Sequence, residues 1–436
     1  MAISTGSSTT HQTSVAPQSG SYMRPLAIVT TLFFMWGGIT SLNDILVPHL
    51  KSIFDLSYAQ VMLVQFAFFS GYFIFSLPSG KLIEMIGYKR SMVAGLLVMA
   101  LGTVLFIPAA MIPSYPLFLS ALLILAAGMT ILQTSANPYV TVLGRPETAS
   151  SRLNLTQAFN SLGTTIFPKI GGILILSTAV LAPEIMRSMS PDALHVYRVQ
   201  QASSVKMPYM WLTIALVVLA VAIGLSKLPK IASLEDKPTD DPNAKSIWSH
   251  RQLVLGAIGI FTYVGAEVAI GSFLINYMTS PVIGVADERT AAGYVSFYWG
   301  GAMVGRFIGS ALLQKIRTGK LLMAFAFVAG LLVLISMMST GHAAMWSIIA
   351  VGLFNSIMFP SIFTLGVDGL GNLTSKGSAI MIAAIVGGAI IPEVQGLLAD
   401  KMGIHHAFIL PVICYLYIAY FAFDRARAEA LNPHRA

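Results

Sequence analysis

The sequence predicts an all-α polytopic membrane protein with twelve transmembrane helices in two six-helix halves, and three observations carry that prediction. Of 436 residues, 56% are hydrophobic and 10% charged, against about 25% charged in an ordinary soluble domain. That excludes a water-soluble globule. The apolar residues come in unbroken runs such as Ser91 to Met111, and a run of about 18 residues crosses about 30 Å of hydrocarbon as a helix. A membrane barrel would instead alternate apolar and polar residues in strands of about 10. Finally, the longest strongly charged stretch, Ser226 to His250, carries Lys230, Glu235, Asp236, Lys237, Asp240, Asp241 and Lys245 and divides the apolar segments six and six.

The elements run in order along the chain. Met1 to Ser21 is rich in Ser, Thr and Gln without a charged side chain, so residues 1–23 are expected to be a disordered tail. They lack the basic start and apolar core of a signal peptide. Segment 1 (about 25–50) lies between Arg24 and Lys51, and segment 2 (58–80) ends at Gly80-Lys81. Segment 3 (91–112) starts after Lys89-Arg90, and segment 4 (116–143) runs from Pro116 to the Leu143-Gly144-Arg145 turn. Segments 5 (152–180) and 6 (208–227) complete the first half, which spans 24–228; a linker is expected over 229–250. The second half, 251–426, holds segments 7 (252–279), 8 (290–314), 9 (320–339), 10 (343–367), 11 (376–399) and 12 (404–424), each set off by charge or turn residues such as Arg251, Lys315, Asp368, Asp400 and Gly403. Residues 427–436 read as a tail.

The formal net charge of +8 is a topology signal. Of the 26 Lys and Arg, 18 fall in the loops that share a side with both termini and 6 in the opposite loops, with Lys169 and Arg306 inside segments. Basic loops stay in the cytoplasm, so both termini are placed there. No nucleic-acid partner is expected; the partners are the lipid bilayer and a small solute, with the chain a monomer. The single Cys414 excludes a disulfide framework and a Cys metal site. The outer loop 182–207 carries no readable motif.

The halves repeat. Gln133-Thr-Ser-Ala-Asn137-Pro138 leads to Leu143-Gly144, and Asn355-Ser-Ile-Met-Phe-Pro360 leads to Leu365-Gly366; both place an amide five residues before a Pro and Leu-Gly five and six after it. Six plus six helices in related halves is a transporter arrangement with its site near the midplane.

A charge at the centre of a membrane helix costs at least about 2.5 kcal/mol on insertion scales, so each one needs a partner, water or a task. Segment 1 carries Asn43 and Asp44; segment 2, Gln65; segment 4, Gln133 and Asn137; segment 5, Asn154, Gln157, Asn160 and Lys169; segment 7, Glu267 and Asn276; segment 10, Asn355; segment 11, Glu393 and Gln395. Gln157 and Asn160 share a helix face. Paired amide donors and acceptors suit vicinal hydroxyls, although Asn and Gln also join membrane helices to one another. Trp36, Tyr294, Tyr298 and Trp299 offer faces for the apolar side of a sugar ring. Asp44 has no Lys or Arg within a turn of its own helix. Such a carboxylate either holds a proton or neutralises a bound cation, and either way it couples transport to an ion gradient. Glu267 poses the same question in segment 7. Glu393 reads as one member of a structural pair and Arg306 as a bridge or gate. His405-His406 reads as solvated surface or a site of Zn²⁺ capture. Pro48, Pro78, Pro138, Pro168, Pro360 and Pro392 are expected to kink or locally open their helices, and Gly37-Gly38, Gly300-Gly301 and Gly387-Gly388 to allow close helix contact or bending.

The loop after segment 2 reads Gly80-Lys-Leu-Ile-Glu84-Met-Ile-Gly87-Tyr-Lys89-Arg90. It resembles the signature loop of the major facilitator superfamily, whose charges latch the cytoplasmic side. Ser41-Leu-Asn43-Asp44-Ile-Leu-Val-Pro48, Thr134-Ser-Ala-Asn137-Pro138-Tyr-Val-Thr-Val-Leu-Gly144 and Arg152-Leu-Asn-Leu-Thr-Gln157-Ala-Phe-Asn160-Ser are similar to the fucose, galactose and glucose symporter branch of that family, from about Arg24 to Asp424. The resemblance implies a cation-driven sugar importer that is not an enzyme and has no organic cofactor. It places Asp44 at the sugar and coupling site and turns Gln157 and Asn160 to the cavity.

Two departures from the branch matter. Gln133 stands where a second acid occurs, which removes one member of a proton relay; Asp44 and Asn43 with neutral oxygens are then expected to hold Na⁺, set slightly ahead of H⁺, as a hard cation that prefers oxygen. Glu267 stands where an amide occurs, and a carboxylate accepts two strong hydrogen bonds from hydroxyls, which favours glucose or galactose over fucose. The expected sugar ligands are Gln133, Asn137, Gln157, Asn160, Glu267, Asn276, Trp299 and Asn355. The alternatives are L-fucose–proton symport and multidrug export on the same fold.

Overall fold

A computed structural model describes residues 22–54, 58–112, 114–175, 185, 188–203, 205–229 and 246–431. Within these, the side chains of some stretches, residues 43–54 among them, lie outside the description. The tail expected over 1–23 and the linker expected over 229–250 fall mostly outside the described residues, as does the end of the 427–436 tail.

The described chain is nearly all helix. The first half holds α1 (Met23–Phe54), α2 (Tyr58–Ile86), α3 (Tyr88–Met111), α4 (Tyr115–Val142), α5 (Ala149–Ile175), the short α6 (Pro191–Ser203) and α7 (Lys206–Leu225). The second holds α8 (Arg251–Met278), α9 (Glu288–Leu312), α10 (Thr318–Met338), α11 (Gly341–Asn355), α12 (Met358–Val367), α13 (Thr374–Ala383), α14 (Gly387–Met402), α15 (Ile404–Ala407) and α16 (Ile409–Leu431). Each of the twelve predicted segments has its helix: α1 to α5 are segments 1 to 5, α7 is segment 6, and α8 to α10 are segments 7 to 9. Segments 10, 11 and 12 are each divided in two, and α6 is a helix that the sequence did not announce.

Proline explains one division and reaches further. Pro360 has no N–H and its ring crowds the preceding turn, so segment 10 breaks between Asn355 and Met358 and the carbonyl of Ser356 loses its helical donor. Nε of Arg306 donates to that carbonyl at 3.4 Å. Pro138 does the same to Thr134 in α4, whose carbonyl accepts from Oγ of Ser378 on α13 at 2.8 Å. In hydrocarbon a freed carbonyl needs a protein donor, and here each one ties its helix to another.

Helix ends are closed by cations from neighbouring elements. Nζ of Lys89 donates to the carbonyls of Gly224 at 2.8 Å and Ser226 at 2.7 Å, at the end of α7. The Arg152 guanidinium donates to the carbonyls of Val140, Thr141 and Arg145 at the end of α4. Both place positive charge where the helix dipole is negative. Between α2 and α3 the chain turns at Gly87, whose φ of 80° suits glycine.

Two helix crossings have the same design, one in each half. A Cβ on Gly163 of α5 would lie 2.2 Å from the Phe34 carbonyl of α1, and one on Gly38 would lie 2.5 Å from the Phe167 ring. In the second half a Cβ on Gly387 would lie 2.0 Å from the Phe261 carbonyl of α8, and one on Gly265 would lie 2.3 Å from Ile391. Gly163, Phe167 and Pro168 become Gly387, Ile391 and Pro392 by one displacement of 224 residues, and Phe34 and Gly38 become Phe261 and Gly265 by another of 227. The repeat read in segments 4 and 10 therefore extends to the crossings α1–α5 and α8–α14, where small residues bring backbones together.

Gly163→Ala is expected to lower the thermal unfolding midpoint of the detergent-purified protein, since overpacking costs about 1–3 kcal/mol. Gly224→Ala, with nothing within 4 Å of the new methyl, is expected to leave it unchanged; equal midpoints for the two variants would contradict the close-crossing argument.

Candidate functional site

The helices alternate in direction, so one end of the bundle, here the linker end, carries the loops 86–88, 142–149 and 312–318 and the described residues 226–229 and 246–250 that flank the central linker. At this linker end the halves meet along two seams. On one, α5 faces α9: Oγ of Ser151 donates to the Ser310 carbonyl at 2.7 Å, Oγ of Ser310 returns a bond to the Ser151 carbonyl at 3.0 Å, and Nδ2 of Asn154 donates to the Arg306 carbonyl at 2.7 Å. Nη1 of Arg306 donates to the Gln157 carbonyl at 3.3 Å and to the Ser161 hydroxyl. On the other seam α13 faces α2 and α4. There the Tyr88 and Ser375 hydroxyls lie 2.9 Å apart, Ser378 reaches Thr134, and Lys376 lies 3.9 Å from Glu84.

α5 and α9 are the two least apolar of the long helices. They lie against each other rather than with their polar faces to lipid, which gives Arg306 the neutral oxygens of Gln157, Ser161 and Ser356 as neighbours. Among the described residues Arg306 forms no ion pair within 4 Å. The bridge reading of Arg306 takes this form, a guanidinium held by neutral groups of both halves.

Above the seams, each half pairs a segment amide with a tyrosine. Nε2 of Gln133 donates to the Tyr72 hydroxyl at 2.6 Å, and Nδ2 of Asn355 donates to the Tyr298 hydroxyl at 2.8 Å. The second pair is extended. The Tyr415 hydroxyl donates to Oδ1 of Asn355 at 2.7 Å, the Tyr298 hydroxyl to the Glu267 carbonyl at 3.5 Å, and the Tyr263 hydroxyl to Oε1 of Glu267 at 2.7 Å. Trp299 covers Gly271, one turn beyond Glu267, its ring 2.9 Å from where a Cβ would stand. It is 46% exposed.

Of the predicted ligands, Gln133, Glu267, Trp299 and Asn355 thus stand in these two groups. Gln157 is buried beside Arg306. Asn160 is half-buried, its Nδ2 donating to the Phe33 carbonyl at 3.0 Å in the α1–α5 crossing. Asn137 is fully buried one turn beyond Gln133, and neither atom of its amide has a hydrogen bond among the described residues. Asn276 is exposed on the last turn of α8, nine residues and so about 13 Å of helix from Glu267, and is not brought into the group. Asn43 and Asp44 lie on α1, with side chains outside the described residues.

In the predicted gating loop, Gly80 packs on Ala379, with 3.0 Å left for a Cβ. Glu84 faces Lys376, Lys89 closes α7, and Arg90 is exposed. Glu393 and Lys169 are exposed, and Glu393 forms no ion pair among the described residues. Nε2 of His405 donates to the Met337 carbonyl, 2.6 Å away, and Nδ1 of His406 meets the Met402 carbonyl at 3.2 Å. An open apolar groove between α9 and α11, lined by Phe297, Gly300, Val304 and Trp346, lies on the face of α9 opposite Arg306 and Trp299 and is separate from this site.

Tyr72, Tyr263, Tyr415 and Ser161 were not singled out in the sequence. A signal existed for two of them: Tyr263 precedes Glu267 by one turn, and Tyr72 stands to Tyr298 nearly as Gln133 stands to Asn355.

Comparison with known proteins adds three findings. The model of the Major Facilitator Superfamily matches residues 28–392. The chain is 55% identical over 397 residues to the "Glucose/galactose transporter" of Brucella abortus biovar 1 (strain 9-941), covering 91% of this chain and 92% of that protein, and 38% identical over 426 residues to the "L-fucose-proton symporter" of Escherichia coli (strain K12), covering 95% of each. A crystal structure of the transporter FucP "in the outward conformation" superposes with a TM-score of 0.86 at 37% identity, over 93% of this chain and 99% of that one.

The hydroxyls of Ser151 and Ser310 lie 3.3 Å apart, and the native Cys414 is buried. Cysteines at both serines are therefore expected to form a disulfide under mild oxidation and to stop uptake until reduced. Uptake that ignores oxidation while the crosslink forms would contradict the need for this seam to open.

Proposed function

The chain belongs to the major facilitator superfamily, a family of transporters and not of enzymes, and we propose that within it this protein imports a hexose, glucose or galactose ahead of fucose, by cation symport. The observation that carries the reading is the 55% identity to a protein named for glucose and galactose, over 91% of the chain. The bias of 18 among 26 basic residues supports a cytoplasmic linker end and cytoplasmic termini in a bacterial inner membrane.

The chemistry around Glu267 fits a neutral polyol. A carboxylate offers strong acceptors to hydroxyls, Trp299 offers a flat apolar face, and Gln133 keeps an amide oxygen opposite its bond to Tyr72. Sugar is held between Gln133 and Gln157 of the first half and Glu267 and Trp299 of the second, so that binding draws the halves together. Asp44 senses the cation. Gln133 cannot carry a proton, which favours Na⁺ with Asp44 and Asn43 as ligands; the name of the E. coli relative favours H⁺ as the second reading. In the cycle, sugar and cation load from the side where Trp299 and Asn276 are exposed, the two seams at the linker end then part, and both solutes leave there.

Purified protein in proteoliposomes, given glucose, galactose and fucose under separately imposed Na⁺ and H⁺ gradients, tests each part. Accumulation of glucose or galactose driven by one of the two gradients is expected, and dye extrusion with no sugar uptake would favour an exporter. Asp44→Asn is expected to equilibrate sugar without concentrating it; continued accumulation would remove Asp44 from coupling. Gln157→Ala is expected to raise KM for sugar about tenfold or more, the loss of one buried hydrogen bond or more; an unchanged KM would remove it from the site.

A further inference from the structure

Around Glu267 the hydrogen bonds have fixed directions. Tyr415 donates to Oδ1 of Asn355, and Nδ2 of Asn355 donates to Tyr298. The single Tyr298 proton is thereby left for the Glu267 carbonyl, 3.5 Å away. Tyr263 donates its own proton to Oε1 of Glu267. Tyr263, Tyr298, Tyr415 and Asn355 are each no more than 1% exposed, so no bulk solvent competes for these groups. Both ends of the Asn355 amide are engaged by protein. Of the Glu267 carboxylate, Oε1 is engaged, and no bond to Oε2 is formed among the described residues.

The first half lacks this arrangement, although its frame is the same. By the displacement that turns Gly38 into Gly265, Tyr263 corresponds to Trp36 and Glu267 to Thr40. Trp36 has no hydroxyl, and Oγ1 of Thr40 donates to the Trp36 carbonyl at 2.9 Å. Among the described residues the tyrosine-held carboxylate is therefore a feature of the second half, built on a position that in the first half serves the helix itself.

From this we infer that Tyr263 is a specificity-determining positioning residue: it holds Oε1 of Glu267 and turns Oε2 alone to the substrate, so the site selects one sugar hydroxyl rather than a vicinal pair. Asn355 in turn fixes the height of α8 through Tyr298 and is not itself a sugar ligand. This rests on the sugar reading above, but goes beyond it by assigning who touches the substrate and who does not. A site that hydrogen-bonds a hydroxyl rejects the analogue lacking it far more strongly than an apolar pocket rejects an added one, so the set of monodeoxy sugars reports the contacts one by one.

The test uses the full-length protein in proteoliposomes and measures inhibition of hexose uptake by 2-, 3-, 4- and 6-deoxyglucose. Wild type is expected to discriminate against one analogue, by about a hundredfold, through the Glu267 contact. In Tyr263→Phe that penalty is expected to fall to about tenfold or less while an adjacent position gains one, as the freed Oε1 takes a second hydroxyl. An unchanged deoxy profile in Tyr263→Phe overturns the inference. Glu267→Gln is a second route should that variant not reach the membrane: it keeps an oxygen for Tyr263 and is expected to weaken the same single penalty, and a profile equal to wild type overturns the assignment of that contact. Asn355→Ala is expected to raise KM for all the sugars together, and the disappearance of one deoxy penalty alone would make it a ligand and contradict its positioning role. A wild-type protein inhibited by no hexose would overturn the sugar reading itself, an outcome distinct from all of these.

Discussion

Hydrocarbon offers no water to a backbone carbonyl, and this one constraint organises the bundle. A regular helix satisfies its own carbonyls; a proline leaves one free, and in lipid the freed group must find a donor in the protein. Pro138 and Pro360 occupy matching places in the two halves, and the carbonyls they release are the ones that Ser378 and Arg306 take. The proline thus does more than bend its helix. It creates the acceptor by which that helix is tied to a neighbour, and it creates it on the residue directly after the tyrosine-paired amide, Thr134 after Gln133 and Ser356 after Asn355.

Arg306 carries this constraint furthest. A guanidinium inside the membrane is costly without partners, and its partners here are two carbonyls and a hydroxyl drawn from both halves. Its fork of donors suits several neutral oxygens at once. In the frame of the repeat, where Tyr72 becomes Tyr298, the position of Arg306 corresponds to Gly80 of α2. The two seams therefore close by different means: backbone proximity at Gly80 against Ala379, and a cation bridge at Arg306 against Gln157 and Ser161. Thr40 and Glu267 diverge in the same way. Duplication supplied the frame, and the chemistry lies where the copies differ.

Much of the frame was legible in the sequence because its signals are local. Apolar runs closed by charge gave every transmembrane segment, and the spacing of Gln133 to Pro138 and Asn355 to Pro360 gave the repeat. The breaks at Ser356 and Ala384 were less so, since a proline announces a disturbed helix but not whether the helix bends or divides. The partition of amides was not legible at all. Gln157 and Asn160 share a face, yet the Asn160 side chain is taken by the Phe33 carbonyl, because Gly37 and Gly163 bring α1 within reach, and Asn355 is enclosed by tyrosines from α9 and α16. Whether an amide binds a ligand or a helix depends on what stands across from it, which is a fact of packing and not of spacing.

The character of the seams also bears on how such a bundle can move. Apart from the 3.9 Å approach of Lys376 to Glu84 and the bonds that Arg306 donates to Gln157 and Ser161, the contacts described across them are hydroxyl, amide and carbonyl hydrogen bonds, each worth about 0.5–1.5 kcal/mol net. Moving a two-state equilibrium from 1:99 to 99:1 takes about 5.5 kcal/mol of differential binding. A handful of neutral bonds is of that size, so a sugar that binds the closed-over state better by a few hydrogen bonds can open the seams. Buried ion pairs in their place would each cost several kcal/mol to separate, more than a neutral ligand can return. A seam of small hydroxyls is thus matched to the energy its cargo supplies, and the one guanidinium within it, held by neutral oxygens rather than by a carboxylate, obeys the same limit.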